Sequence, residues 1–252
     1  MAKIDLTGRV AVVTGASSGI GAETAAVMAA CGARVVAVGR DEQRLQATIE
    51  AIARAGGDAE AVVVDLCADG APEAIVAAAG DRLDVLALPA GHFVNAPLAE
   101  TPLEQLDELF AVHVRAPFAL VQQALDRLTD GSSILFYSST VTQVGFAPYA
   151  AYTAVKGAVD AMARSLAIEL APRVRVNTLV PGFTATPMMG NQFPSAPGLE
   201  EGIVARTPTG SMDGPASIAH LAAFLASDLG AYIDGTRMVV DGGWTAQGWQ
   251  QV

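Results

Sequence analysis

Seven short runs of apolar, largely β-branched residues recur along this chain, at Val10 to Val13, Arg34 to Val38, Ala61 to Val64, Val85 to Leu88, Ser133 to Tyr137, Val174 to Leu179 and Met238 to Val240. Runs of this length suit strands buried on both faces, the situation in a parallel sheet covered by helices. The stretches between them supply those helices: Gly19 to Cys31, Glu42 to Ala55, Pro102 to Leu128, Ala150 to Leu170 and Pro215 to Ala226 are rich in alanine and other helix formers. Strand alternating with helix implies right-handed crossovers, so the expected fold is α/β, a doubly wound parallel sheet of about seven strands. Ligands of such sheets bind beyond the carboxyl ends of the strands. Chemistry is therefore to be sought just after each strand.

The 252 residues fit a single α/β domain, and no linker-like stretch divides them. Apolar residues make up 52% and charged residues 16%, ample for a large core. With 15 basic against 26 acidic residues, the formal charge of −11 opposes binding to nucleic acid or an anionic membrane. Cys31 and Cys67 lack metal-ligand or redox spacing and read as small core residues in a reducing compartment; no metal or disulfide is expected. The N-terminus enters a strand almost at once with no signal region, and no apolar run reaches spanning length, which together predict a cytoplasmic protein. One stretch breaks the rhythm. The residues 183–214 are rich in proline and glycine and carry Met188, Met189 and Phe193, which suits either a substrate lid or a surface excursion.

After the first strand the chain reads Thr14-Gly15-Ala16-Ser17-Ser18-Gly19-Ile20-Gly21 and then enters a helix. Glycines at such a turn let the backbone approach a pyrophosphate, while the helix N-terminus offers free N–H groups and partial positive charge. Further on, Tyr152 and Lys156 stand four residues apart on a predicted helix that follows Ser138-Ser139 at a strand end. Positions i and i+4 share a helix face, so the ammonium is expected beside the phenol, lowering its pKa toward working pH for proton exchange. A lone pair at this spacing also occurs on exposed helix surfaces.

Taken together, the glycine turn at 14–21, Ser139, and Tyr152 with Lys156 resemble the short-chain dehydrogenase/reductase family, and the similarity runs along nearly the whole chain. Asp65, Pro181-Gly182 with Thr186, and Asp241-Gly242-Gly243-Trp244 match the same pattern. The resemblance implies a Rossmann-like fold, a nicotinamide cofactor and, by carry-over, Tyr152 as acid or base with Ser139 on the substrate oxygen. Lys156 would hold the nicotinamide ribose. The remaining cofactor contacts would come from Gly15, Ser17, Ser18, Gly19, Ile20, Gly21, Asp65, Leu66, Ala90, Gly91, Pro181, Gly182, Thr184 and Thr186. Asp65 has a turn-capping role as its competing explanation. The resemblance further implies a homo-oligomer, most simply a tetramer, to which the apolar helices 102–128 and 150–170 and the tail Trp244 to Val252 would contribute.

Cofactor choice turns on the end of the second strand, Val38-Gly39-Arg40. An acidic residue there would hold the ribose hydroxyls of NAD; glycine followed by Arg40 instead favours the 2′-phosphate of NADP(H), NAD being the less expected partner. The competing reading is a solvated Arg40 near Asp41 and Glu42. Two positions depart from the family. Leu88-Pro89-Ala90-Gly91 replaces the usual Asn-Asn-Ala-Gly, which requires rearranged local bonding. His113 stands where a catalytic Asn is usual, and two readings remain open: a proton-relay group or a core histidine satisfied by a backbone carbonyl. His92 and His220 read as structural or exposed.

The expected activity is hydride transfer between NADP(H) and a ketone or secondary alcohol, an uncharged hydrophobic small molecule suggested by Phe146, Pro187, Met188, Met189 and Phe193. The alternatives are a regulatory or scaffold protein that keeps the fold, and a cofactor-independent relative. Intact Ser139, Tyr152 and Lys156 weigh against the first, and intact glycines at 15, 19 and 21 against the second.

Overall fold

A computed structural model describes residues 3–248. The elements run β1 (Val10–Val13), α1 (Gly19–Ala30), β2 (Arg34–Gly39), α2 (Glu42–Arg54), β3 (Asp58–Val63), α3 (Ala71–Ala79) and β4 (Leu83–Leu88). Then follow α4 (Leu103–Phe110), α5 (Ala116–Ala124), β5 (Leu128–Tyr137), α6 (Ala150–Leu170) and β6 (Val174–Pro181). The last part holds α7 (Pro187–Gly190), α8 (Leu199–Arg206), α9 (Ala216–Ala226) and β7 (Arg237–Val240). All seven strands pair in parallel in the order β3-β2-β1-β4-β5-β6-β7. The chain moves outward from β1 to β3, then returns to start β4 on the other side of β1. That reversal opens a crevice at the carboxyl ends of β1 and β4.

Alternation along each strand sends side chains to two cores. Val35 and Ala37 join Met28 of α1, Leu45 of α2 and Ala222 of α9 on one face. On the other, Val36 and Val38 join Ile75 of α3, Leu120 of α5 and Val159 of α6. Each fully buried leucine or isoleucine contributes roughly 1.5–3 kcal/mol relative to exposure, so the sheet is a rigid platform and its loops are free to carry function. Among the described residues no helix is long and apolar enough to cross a membrane.

Three expectations need correction. The helical stretch from Pro102 does not reach Leu128: α5 ends at Ala124, and β5 starts at Leu128, five residues before Ser133. Tertiary pairing decides this, since Leu128 pairs with Leu83 across a register irregularity and Thr129 Oγ1 donates to Asp84 Oδ1 at 2.7 Å. The same stretch is broken by a π-helical turn at Ala111–Arg115, where Ala116 N–H bonds to the carbonyl of Ala111. Pro117 has no N–H to offer the carbonyl of residue 113, which accounts for the interruption. Of the cysteines expected in the core, Cys31 is half-buried and packs against it, but Cys67 is exposed; both are free. Finally, residues 183–214 are less irregular than their composition suggests, because they hold α7, α8 and a buried Ile203.

Candidate active site

The turn after β1 is built for close approach. Gly15 has φ +63°, and a Cβ on it would sit 2.8 Å from Cα of Ala90; one on Gly21 would sit 2.2 Å from the carbonyl oxygen of Gly15. No side chain fits either place without moving backbone. Ser18 begins α1 without a side-chain capping bond, and the first turn carries no acidic residue. The N-terminal N–H groups of α1 therefore face the crevice as donors for an anion, so the cradle fits the pyrophosphate of a dinucleotide. The departure at Leu88-Pro89 is absorbed locally: Ala90 N–H donates to Thr14 Oγ1 at 3.2 Å, and Thr14 N–H to the Ala87 carbonyl at 3.0 Å.

At the end of β2, a Cβ on Gly39 would lie 2.2 Å from Ser17 Oγ, so the Ser17 hydroxyl occupies the space an acidic side chain would enter. Arg40 is 79% exposed and lies 4.0 Å from Asp65. Asp41 is not its partner, because that carboxylate caps α2 and pairs with Arg44 at 2.6 Å. Asp65 accepts from Cys67 N–H at 2.8 Å, the turn role weighed against its adenine contact. Leu66 is buried beside it. Across the crevice, Thr186 caps α7 through Met189 N–H at 3.4 Å and lies close over Gly19. Thr184 Oγ1 donates to the Gly182 carbonyl at 3.1 Å.

Beyond β4, β5 and β6 lies an open cleft. Ser139, Tyr152, Lys156, His113, Gly91, Ile20, Pro181, Gly182, Thr184 and Thr186 all line it. The fold thus brings these predicted residues to one cleft. Their electrostatics differ from expectation. Removal from water pushes the Tyr152 phenol above its ordinary 10, opposed by its hydrogen bond with Ser139. Lys156 lies 5.6 Å from the Tyr152 ring centroid, and Nζ donates to the Tyr137 carbonyl at 2.7 Å. Burial lowers its amine to about 7, with Asp160 one turn on pulling the other way. In this arrangement Lys156 Nζ bonds to the Tyr137 carbonyl and burial raises the phenol, so the expected lowering by the ammonium is not seen here.

His113 takes one of the two readings made of it, a buried ring satisfied by a backbone carbonyl. Its Nε2 lies 2.6 Å from the carbonyl of His92, which can only accept, so Nε2 carries the proton and Nδ1 is the bare acceptor. Burial, with the nearby Lys156, lowers the imidazole to about 2, so the ring is neutral at working pH. It also faces the chemistry, edge-on to Tyr152 at 5.7 Å. Gly91 makes room for it: a Cβ there would lie 2.0 Å from His113 Cε1. His92 lines the cleft rather than standing apart, whereas His220 is exposed and bonds within α9.

Several lining residues escaped the sequence reading: Phe93, Val141, Tyr149 and Phe183. They lie on irregular segments after β4, β5 and β6, so only their distance from a strand end could have pointed to them. Pro187 lines a different groove beside Ser17, and the residues around the cleft do not include Phe193. Trp244 does not reach for a neighbour; it is 4% exposed and packs on Phe146 and Phe183. The end of the tail Trp244 to Val252, residues 249–252, lies outside the described residues.

The model for enoyl-(acyl carrier protein) reductase matches residues 15–245. An uncharacterized oxidoreductase of Methylorubrum extorquens is 40% identical over 94% of this chain and 98% of its own length. A solved short-chain dehydrogenase/reductase from Brucella melitensis, named a glucose/ribitol dehydrogenase, superimposes with a TM-score of 0.90 at 30% identity, covering 96% of this chain and 99% of that one. The chain belongs to the short-chain dehydrogenase/reductase family. A solved structure from Beutenbergia cavernae, named an NAD(P)-dependent gluconate 5-dehydrogenase, holds NADP at low occupancy; it is 37% identical with a TM-score of 0.89, covering 98% of this chain and all of that one. Members of the short-chain dehydrogenase/reductase family are oxidoreductases that work with a nicotinamide cofactor, and the glycine cradle described above fits one.

Proposed function

We propose that the protein is an NADP-dependent carbonyl reductase or alcohol dehydrogenase acting on an uncharged, hydrophobic ketone or secondary alcohol. The observation that carries this reading is the convergence of Ser139, Tyr152 and Lys156 on one apolar cleft that adjoins the pyrophosphate cradle. The nicotinamide cofactor, when bound, supplies or accepts the hydride. Ser139 Oγ fixes the substrate oxygen, and Tyr152 gives it a proton in reduction or takes one in oxidation. A phenol held neutral by burial is the right form for donating. Lys156, anchored on the Tyr137 carbonyl, orients the nicotinamide ribose. Neutral His113 offers Nδ1 as an acceptor for a relay water. Leu66, Ala90 and Gly91 would flank the adenine and ribose, while Pro181, Gly182, Thr184 and Thr186 would hold the nicotinamide end.

Arg40 supports the NADP reading, since its guanidinium is exposed and only loosely paired, and Ser17 fills the place an acidic residue would take at 39. The segment 183–214 serves as a lid: Met188 and Met189 line the cleft, and Arg206 of α8 stacks 4.0 Å above Trp244. Both cysteines are free, in keeping with a cytoplasmic setting. Two separate apolar patches support a homotetramer. One is Leu103, Phe110 and Phe118 on α4 and α5; the other is Val239 on β7 with Leu229 and Tyr232 before it. Two distinct self-complementary patches generate a closed assembly of four.

The test is steady-state kinetics with both cofactors. Tyr152→Phe should abolish turnover and leave NADPH binding intact. Arg40→Ala should weaken NADPH by roughly ten- to a hundredfold, the worth of about 1.5–3 kcal/mol for a charged hydrogen bond, and leave NADH almost unchanged. A wild type that prefers NADH, or an Arg40→Ala effect equal on both, removes Arg40 and the NADP assignment.

A further inference from the structure

The cleft is walled by aromatic rings in an unbroken chain that begins at the reactive phenol. Phe93 lies 6.0 Å from Tyr152 and 5.9 Å from Tyr149, centroid to centroid. Phe146 continues the wall at 5.1 Å from Tyr149 and 5.7 Å from Phe183. Trp244 backs it, 5.9 Å from Phe146 and 5.4 Å from Phe183. Phe93, Phe146, Tyr149 and Phe183 are each half-buried and border the cavity, whereas the core ring Phe136 is 1% exposed. Their remaining exposure is thus directed at the cleft rather than filled by the protein.

Charge narrows the ligand further. Lys156 is the one lysine, arginine, aspartate or glutamate among the residues around the cleft, and its Nζ is already bound to Tyr137. A carboxylate or phosphate entering this space would lose water and find no cation of its own. The molecule's negative charge opposes its approach as well. A polyol would meet ring faces where it needs donors and acceptors.

We propose that the substrate is an uncharged carbocyclic secondary alcohol, or the matching ketone, whose reacting carbon is a member of the ring. The inference rests on the hydride-transfer reading above. The position of the reacting carbon follows from the wall starting one ring away from Tyr152: apolar bulk has to begin at the carbinol carbon to meet Phe93, and a ring places it there on both sides. In oxidation the carbinol C–H leaves with its electron pair to NADP⁺, the O–H proton passes to solvent by way of Tyr152, and the ring ketone remains. Reduction by NADPH is the reverse. Phe93 and Tyr149 are the specificity-determining residues, since they lie between the phenol and the outer wall.

The experiment compares cyclohexanol with 2-hexanol, which match in carbon number, beside ribitol and 3-hydroxybutyrate, using the full chain and NADP⁺. Cyclohexanol is expected to exceed 2-hexanol in kcat/KM by about tenfold or more, and the other two should be poorer still. Phe93→Ala should shrink the cyclic-to-linear ratio by roughly tenfold, the scale of one lost aromatic contact of about 1.4 kcal/mol. Linear alcohol, polyol or hydroxy acid turned over as well as the ring overturns the proposal. A second readout needs no turnover. In Trp249→Phe, Trp244 is the sole tryptophan. Cyclohexanone with NADP⁺ cannot react, and it should shift Trp244 emission saturably at concentrations where 2-hexanone does not. If that signal saturates while no alcohol is oxidised, hydride transfer fails and ring selectivity stands. Turnover without ring preference in either readout leaves hydride transfer standing and sinks the ring. Silence in both sinks both.

Discussion

Lys156 shows what spacing can and cannot tell. Its place four residues after Tyr152 put it on the correct face of α6, yet the partner of its ammonium is the carbonyl of Tyr137, fixed by where β5 ends. A buried amine near pKa 7, against 10.5 ordinarily, binds no proton in the folded chain over a range where the unfolded chain does. Its contribution therefore makes stability rise as pH climbs from about 7 to 10.5, with no further change below 7. Lys156→Met should accordingly be more stable than wild type at pH 7, and the advantage should vanish as pH approaches 10. Thermal unfolding of both proteins without nucleotide, followed across that range, checks this; Tyr152 is common to both and cancels. A constant difference would mean that Lys156 titrates as it does in water. His113 was the least legible residue, because its two bonding options were equal in sequence. The carbonyl of His92 decides between them, and that carbonyl is brought to it by the turn after β4.

Elements carried more of the sequence signal than single contacts did. Periodicity placed α6 at Ala150–Leu170 without error and found every strand, since length and apolar content are local properties. Two of the misses are where tertiary bonds override them: the early start of β5, held by Leu83 and Asp84, and the π-helical turn before Pro117. Another feature that only packing reveals joins three elements. Asp160 lies one turn beyond Lys156 and pairs with Arg237 of β7 at 2.9 Å, and Arg237 also donates to Thr142 Oγ1 at 2.7 Å. Thr142 in turn donates to the carbonyl of Ser139 at 2.9 Å. This chain of bonds ties α6 to the Ser139 turn. Removing the cation leaves a nearly buried carboxylate alone, so Arg237→Ala should cost about 3 kcal/mol, the low end for breaking a buried pair because Arg237 is partly open to water. For a chain of this size that is roughly 6–12 °C in Tm. The double change Asp160→Leu with Arg237→Leu should recover most of the loss; calorimetry on the three proteins compares them.

At the scale of the whole molecule, the two apolar patches can be separated by mutation. Phe110→Glu should break one proposed interface and Val239→Lys the other, each giving dimers in place of the proposed tetramer by light scattering at micromolar concentration. Tetramers in both variants would show that neither patch is used. The sheet's two outer strands are not alike. β3 carries Asp58 and Glu60 along its edge, with Arg34 bridging to Glu60, whereas β7 presents Met238 and Val239 beside a single arginine. Charge on an outer strand discourages pairing with another chain, and apolar residues invite it. A sheet guarded on one side and bare on the other has a single edge at which to add a strand, and the neighbouring sheet brings the same bare edge. Such a sheet terminates its own growth: union of two bare edges leaves guarded edges outward, so crowding should yield counted particles and not fibres.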